Sequence, residues 1–287
     1  MQKKISTTID VPARKLGLRQ AAQILRQTGF THVDYGRPCS AYEYKKGLFA
    51  LPRAEFEAVF LRDRQVLAEC GLCVGQVHAP FPTYPDDPSQ FDFMAAAIER
   101  SIYAAQFMGS PYLVIHCALP CRWQPDDNPA RTREMNLALF NALLPAAKMC
   151  GVTLALENMP GQGIPTSTPQ MLIDYIDAVQ SPFFAACLDT GHANMTGVSP
   201  ADFAQSLGQR LQVLHVHDNN GVRDEHCAPY LGTVDWDAFA RALRAVGYGG
   251  TFSLESDALP EKLPPALYGA LAAFGYAAAR HILDLCV

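Results

Sequence analysis

No run of this sequence is apolar over the roughly 20 residues that a bilayer span requires, so a membrane helix is not expected. Residues 1–10 lack the apolar centre of a secretory signal, and a cytoplasmic protein is the expectation. Basic residues never cluster beyond pairs such as Lys3-Lys4 and Lys45-Lys46, the net charge is −5 and the pI is about 5.9. General affinity for nucleic acid is not expected either, because duplex binding depends on neutralising phosphates with Lys and Arg. Nine scattered cysteines, an odd number, outline no disulfide framework. Cys70 and Cys73 form a CxxC at a helix end and a strand start, without the second pair a zinc ribbon needs. These cysteines read as reduced, mostly buried thiols. The first β-rich run is followed by Thr7-Thr8-Ile9-Asp10-Val11-Pro12, with no glycine-rich phosphate turn, which argues against an open nucleotide-binding sheet. No internal repeat and no low-complexity linker divides the chain.

What is present is apolar mass in a regular pattern. Hydrophobic residues make up 49% of the 287 and charged residues 18%, enough for one large core in one domain, 1–287. Strands are predicted at 4–8, 32–35, 72–78, 112–116, 153–157, 184–188, 213–217 and 251–255. Runs such as Tyr112-Leu113-Val114-Ile115 are apolar throughout, as in parallel strands buried on both faces. Helices are predicted at 16–28, 53–69, 93–107, 130–150, 168–179, 201–207, 235–246 and 264–285. Gly29, Gly71, Gly109 and Gly151 follow four of them as C-caps, and Ser199-Pro200 marks a helix start. Such alternation builds parallel βαβ units, and the predicted fold is an α/β single (β/α)8 barrel of parallel strands.

Six successive predicted strands carry a metal-ligand residue type at or near their C-terminal ends: His78, His116, Glu157, Asp189, His215 and Glu255. Any one of them alone has a structural explanation. In a closed barrel, however, all these ends meet on one rim. Several carboxylates converging there repel one another unless a cation or bound protons neutralise them. Two Glu, one Asp and one His form a mixed oxygen–nitrogen set that suits Mn²⁺, Mg²⁺, Co²⁺ or Zn²⁺.

Specific motifs accompany these residues: Leu156-Glu157-Asn158, Leu188-Asp189-Thr190-Gly191-His192, His215-Val216-His217-Asp218-Asn219, Asp224-Glu225-His226, Gly232-Thr233-Val234-Asp235-Trp236 and Leu254-Glu255. In order and spacing, over residues 72–257, they resemble the xylose-isomerase-like TIM-barrel superfamily. That superfamily includes sugar-phosphate isomerases/epimerases, ketose 3-epimerases, hydroxypyruvate isomerase and endonuclease IV. The resemblance implies a metal held by Glu157, Asp189, His215 and Glu255, with the two glutamates also moving protons. It implies that His192 contacts a substrate oxygen. It also matches His78, His116, His192, Asp224 and His226 to positions that bind additional metals in the endonuclease branch, so more than one ion is an expectation.

Isomerising or epimerising a ketose requires removing a weakly acidic proton beside a carbonyl. A divalent cation polarises that carbonyl, and fixed charge stabilises the cis-enediolate. Two carboxylates on opposite faces can take the proton and return it. The expected activity is therefore a divalent-metal-dependent isomerase or epimerase of a small-molecule carbohydrate or related polyol. The alternative is a multinuclear-metal hydrolase or lyase of the endonuclease-IV-like branch. Asp34, ending the second strand, reads either as a contact for a distal hydroxyl or as a surface carboxylate. Arg223 reads either as a substrate contact or as an exposed loop arginine. His217 reads as a group behind the ligands or as a strand-end distortion, and Trp236 as a packed helix start. The loops 36–52, with Tyr42, Tyr44 and Phe49, and 119–129, with Trp123, read as rim loops that cover a ligand or form an oligomer contact. Barrels of this type often pair, so a homo-oligomer is compatible with the sequence.

Overall fold

The computed structural model describes residues 4–39, 47–81, 91–119, 128–161, 163–256 and 258–286. Eight strands follow one another: β1 (Ile5–Thr7), β2 (His32–Tyr35), β3 (Cys73–His78), β4 (Tyr112–Ile115), β5 (Thr153–Glu157), β6 (Phe184–Asp189), β7 (Leu211–His215) and β8 (Phe252–Leu254). The helices are α1 (Asp10–Leu16), α2 (Leu18–Thr28), α3 (Arg53–Glu69), α4 (Phe91–Met108), α5 (Pro129–Cys150), α6 (Pro169–Val179), α7 (Thr190–Met195), α8 (Pro200–Leu207), α9 (Trp236–Ala245), α10 (Ala258–Lys262) and α11 (Tyr268–Leu285).

All pairings between named strands are parallel: β2 to β7 form one sheet in sequence order, and β1 pairs β8. Bridges Thr8–Asp34 and Val216–Leu254 join the two sheets at both seams and close the barrel. The chain thus forms the predicted (β/α)8 barrel, which leaves no open sheet edge.

Alternation of side chains divides the core in two. Leu113, Leu154, Leu156, Leu188 and Leu214 belong to the large cluster that packs against the helices. Their neighbours Val114, Ala155, Cys187 and Val213 form a separate small cluster inside the barrel. One alternation step further along each of those four strands stand His116, Glu157, Asp189 and His215. The interior of the barrel is therefore apolar in its middle and polar toward its C-terminal end. Register shifts at Val33/Asp34 and Ala186/Cys187 adjust which residues pair across two of these seams.

Local chemistry fixes the helix starts. The side chains of Thr168, Ser199 and Asp235 accept hydrogen bonds from the backbone N–H of Met171, Asp202 and Ala238. Three helices lie outside the predicted set. Asp10–Leu16 fills the stretch left unassigned between the first predicted strand and helix, and its N-cap Ile9 offers no capping side chain, so no local signal announced it. Thr190–Met195 begins immediately after β6, with Asp189 as its N-cap, and Ala258–Lys262 follows β8. The last helix begins at Tyr268 rather than at 264, after a short 3-10 turn. β7 runs two residues earlier than predicted, ending at His215.

Phe49, grouped above with rim aromatics, is instead 5% exposed and packs its ring 6.2 Å from that of Phe56. Tyr42, Tyr44 and Trp123 lie outside the described residues. The helix end at Cys70 and the strand start at Cys73 agree with the sequence reading.

Candidate active site

The two conspicuous motifs in the C-terminal half are tied to each other. Asn158 clamps Asp189: its Oδ1 accepts the Asp189 N–H at 2.7 Å and its Nδ2 donates to the Asp189 carbonyl at 3.0 Å. Asp189 Oδ1 then accepts the backbone N–H of His192 at 2.6 Å, so one residue ends β6, caps α7 and faces the rim. Thr190 Oγ1 donates to the His217 carbonyl at 2.7 Å and accepts the His217 N–H at 3.0 Å. Asp218 pairs backbone to backbone with Cys227 at 2.8 and 2.9 Å. This pairing folds the 219–226 loop back so that Asp224 and His226 return to the rim.

Glu157, Asp189, His215 and Glu255 each offer one ligand atom, and these atoms lie within 4.8 Å of one another. His215 is fully buried, with Nδ1 3.1 Å from Glu157 Oε1 and 3.1 Å from Glu255 Oε2. Glu157 turns its other oxygen toward two imidazoles, with His116 Nε2 at 2.9 Å and His78 Nε2 at 3.7 Å. A second group, His192, His217, Asp224 and His226, also brings its ligand atoms within 4.8 Å. There His192 Nε2 and His226 Nε2 lie 3.4 and 3.3 Å from Asp224 Oδ2.

Three of these histidines are anchored through Nδ1. Nδ1 of His78, His192 and His226 meets the backbone carbonyls of Ala79, Asn158 and Glu255 at 2.8, 2.8 and 2.9 Å. A carbonyl only accepts, so Nδ1 carries a proton in each, and Nε2 is the nitrogen turned toward the carboxylates, where it holds either a second proton or a cation.

The donor set fits a divalent cation. Asp189 Oδ2, Glu255 Oε2 and both ring nitrogens of His215 are buried without a well-aligned hydrogen-bond partner. Left so, each carries a desolvation penalty of about 1–3 kcal/mol, more where the group is charged. A single ion at their convergence would satisfy the two carboxylate oxygens and one His215 nitrogen, Nδ1, which faces both glutamates; Nε2 faces Asp34 instead.

Electrostatics separates the carboxylates. Burial works to raise the Glu157 carboxyl, but His215 and His116 outweigh it and hold it well below the usual range. Burial likewise opposes Asp189, which His192 and His217 bring down. Glu255 goes the other way: burial, reinforced by Glu157 and Asp189 against His215, pushes it up to about 8. Burial lowers His116 to about 4. His192 rises to about 10 against burial, chiefly through Asp189. The cluster attracts positive charge whether as protons or as metal.

The structure brings together Glu157, Asp189, His215, Glu255, His78, His116, His192, Asp224 and His226. Asp34 is 1% exposed, which corrects the surface reading, and its Oδ2 lies 3.1 Å from His215 Nε2. Arg223 is exposed in the 219–226 loop. His217 was noticed in the sequence but not assigned to the site. Its buried ring stacks on His226 at 4.1 Å, and its Nε2 lies 3.0 Å from Asp189 Oδ1. The HxHDN spacing was its signal. Asn158 was quoted only as part of a motif. Gln76 and Ser253, which bond to Asp34, had no signal in the sequence.

An open cleft of about 510 Å³ leads to the site, lined by Asp10, Asp34, Tyr35, Arg37, Asp63, His78 and Glu255 among others. Its far wall is held by Asp63 Oδ2, which accepts Tyr35 Oη and Arg37 Nη1, each at 2.6 Å. A second cleft, of about 480 Å³, lies near the N-terminal ends of the strands between Lys4, His32, Tyr112 and Tyr248. None of the nine candidate metal ligands lines it.

Comparison with known proteins bears on the family and the fold. A probable endonuclease 4 of Mycoplasma mobile is 32% identical over 117 residues, 40% of this chain and 40% of that protein. A D-psicose 3-epimerase of Enterocloster bolteae is 30% identical over 110 residues, 38% of this chain and 35% of that protein. The matched stretches thus span well under two thirds of either relative. The crystal structure of a D-tagatose 3-epimerase-like protein superposes with a TM-score of 0.75 at 21% identity, covering 100% of this chain and 98% of the other, a likeness of fold. The family model described as xylose isomerase-like TIM barrel matches residues 21–275, and the chain belongs to that family.

Proposed function

We propose that the protein is a divalent-metal-dependent isomerase or epimerase of a carbohydrate or related polyol, working by proton transfer beside a carbonyl. The observation that carries this reading is the placement of Glu157 and Glu255 on either side of His215, each 3.1 Å from its Nδ1. They stand at β5 and just past β8, on different sides of the barrel rim.

When bound by Glu157, Asp189, His215 and Glu255, a divalent ion supplies Lewis-acid polarisation of the substrate carbonyl. The two glutamates divide the proton work. Glu157 reaches the site from the end of β5 and Glu255 from just past β8, so each can serve a different face of the bound substrate. Glu255 also lines the cleft, so it meets the substrate from the open side. His192, tied through Nδ1 to Asn158, presents Nε2 for a substrate oxygen or a further ion. Two such groups acting on opposite faces of a planar enediolate favour epimerisation; one shuttling between adjacent carbons gives isomerisation.

The test is a panel of ketoses in D₂O, with and without chelator. The reading requires metal-dependent deuterium uptake beside the carbonyl. Metal-loaded protein that exchanges no member of the panel overturns it.

A second reading rests on the group His192, His217, Asp224 and His226 and on the two histidines facing Glu157. These allow a multinuclear hydrolase or lyase of the endonuclease-IV-like kind. Cleavage of abasic-site DNA with two or three ions per chain supports it in place of the first.

A further inference from the structure

We infer that Asp34 is a positioning residue that orients His215 toward the cation, rather than a substrate contact. The inference rests on the metal-dependent reading of Glu157, Asp189, His215 and Glu255. Nδ1 of His215 faces both glutamates at 3.1 Å, so the lone pair available to an ion is the one on Nδ1. A neutral imidazole that gives up that lone pair carries its proton on Nε2. Nε2, on the opposite side of the ring, lies 3.1 Å from Asp34 Oδ2. Both side chains are sealed from water, His215 at 0% and Asp34 at 1% exposure, so no solvent competes for that proton.

Asp34 is itself held from two further strands. Gln76 Nε2 on β3 donates to its Oδ2 at 2.7 Å, and Ser253 Oγ on β8 donates at 3.3 Å. Gln76 Nε2 also reaches the carbonyl of Leu214, the residue before His215, at 3.2 Å. Strands β2, β3, β7 and β8 are thereby joined under the site. A carboxylate behind a ligating imidazole fixes its tautomer and ring orientation and raises its basicity, and losing such a partner typically weakens metal binding about 10–100-fold. Asp34 borders the open cleft, but its Oδ2 is already engaged by Gln76, Ser253 and His215.

Asp34→Asn is the informative substitution. Its amide oxygen can replace Oδ2 for Gln76, Ser253 and His215, so the packing is kept and the charge is lost. Metal-free wild-type and variant protein are titrated with Co²⁺, followed by the visible ligand-field band. The expected result is Co²⁺ affinity lowered about 10–100-fold in the variant. Its KM for substrate should stay near the wild-type value once the metal is saturating. Co²⁺ affinity within twofold of wild type overturns the inference, as does a raised KM with unchanged Co²⁺ affinity. Wild-type protein that takes up no Co²⁺ overturns the metal reading itself, which is a separate result. A measurement on unsubstituted protein guards against a misfolded variant. In Zn²⁺-loaded, ¹⁵N-histidine-labelled protein, His215 should show a protonated, exchange-protected Nε2. A deprotonated Nε2 there also overturns the inference.

Discussion

Gly191 lies directly against the imidazole of His217: a Cβ built on it would stand 1.9 Å from Cε1 and 2.4 Å from Nδ1. The ring has little room to yield. It is stacked on His226 at 4.1 Å, and its own backbone is bonded on both sides to Thr190. The glycine is required here for close approach, not for an unusual backbone angle. Gly191→Ala should cost roughly 1–3 kcal/mol of stability through overpacking. It should also weaken cation binding at His192, His217, Asp224 and His226. Chemical denaturation and metal content of the purified variant check both; an unchanged midpoint with unchanged metal content refutes the packing argument.

Glu255→Gln should leave the fold intact, since the amide keeps the shape and an oxygen to face His215, and Glu255 makes fewer close charge contacts than Glu157. Turnover should fall about 10²–10⁴-fold, the usual contribution of a positioned proton-transfer group. Deuterium exchange at saturating metal is the measurement. Undiminished exchange removes Glu255 from the mechanism.

Glu157→Gln should damage more than catalysis. The Glu157 carboxylate faces His116, His78, His192 and His215 within 3.7 Å. Removing one partner of a buried ion pair costs about 3–5 kcal/mol where the other stays charged. The thermal midpoint of the chelated variant should drop well below that of chelated Glu255→Gln. Equal midpoints for the two would contradict the asymmetry.

Without metal, stability should decline as pH rises. Glu255 is raised from 4.5 to about 8, and His192 from 6.5 to about 10. In both cases the folded protein keeps a proton that the unfolded chain releases, so folding is favoured below the ordinary value. That advantage is lost as pH climbs through the folded one. A divalent cation takes over from those protons and binds better as they leave. The melting-temperature difference between metal-loaded and chelated protein should widen from pH 6 to pH 8.5. A difference that narrows over that range contradicts the assignment.

Asp218 accepts four hydrogen bonds: from the N–H groups of Asn219, Tyr230 and Val234, and from the indole of Trp236. Trp236→Phe removes one and should cost about 1 kcal/mol. Asp218→Ala frees all four donors and should cost about 3 kcal/mol or more, with proteolysis opening in the 219–232 stretch. Thermal melts and limited proteolysis read both. A loss under about 1 kcal/mol for Asp218→Ala would show that the loop does not depend on this latch.

Much of the barrel was legible because its signals are local. The strand 32–35 and the helix 53–69 match the structure at both ends, since Gly36 after the one and Pro52 before the other are boundaries readable within a few residues. Where signals were absent or shared, the reading slipped. Asp10–Leu16 has no side-chain cap, and Asp189 serves strand and helix at once. At β7, the 215–217 stretch stays extended because Val216 bonds to Ser253 and Glu255 across a seam. Phe49 looked like a rim aromatic because its partner, Phe56, lies beyond the loop.

The sequence alone determined which donors exist and that they recur near the C-terminal ends of buried strands, because side-chain alternation and apolar runs are properties of neighbouring residues. The convergence of several carboxylates on one rim, implied by a closed barrel, was the ground for expecting a cation. Only the tertiary structure decided that Asp34 stands behind His215, that His217 lies between two ligand groups, and which ring nitrogen faces inward. Those facts depend on register across closed seams, where a one-residue shift turns a side chain from the barrel interior to the helix layer. No local pattern between residues as distant as Asp34 and Ser253 encodes that register.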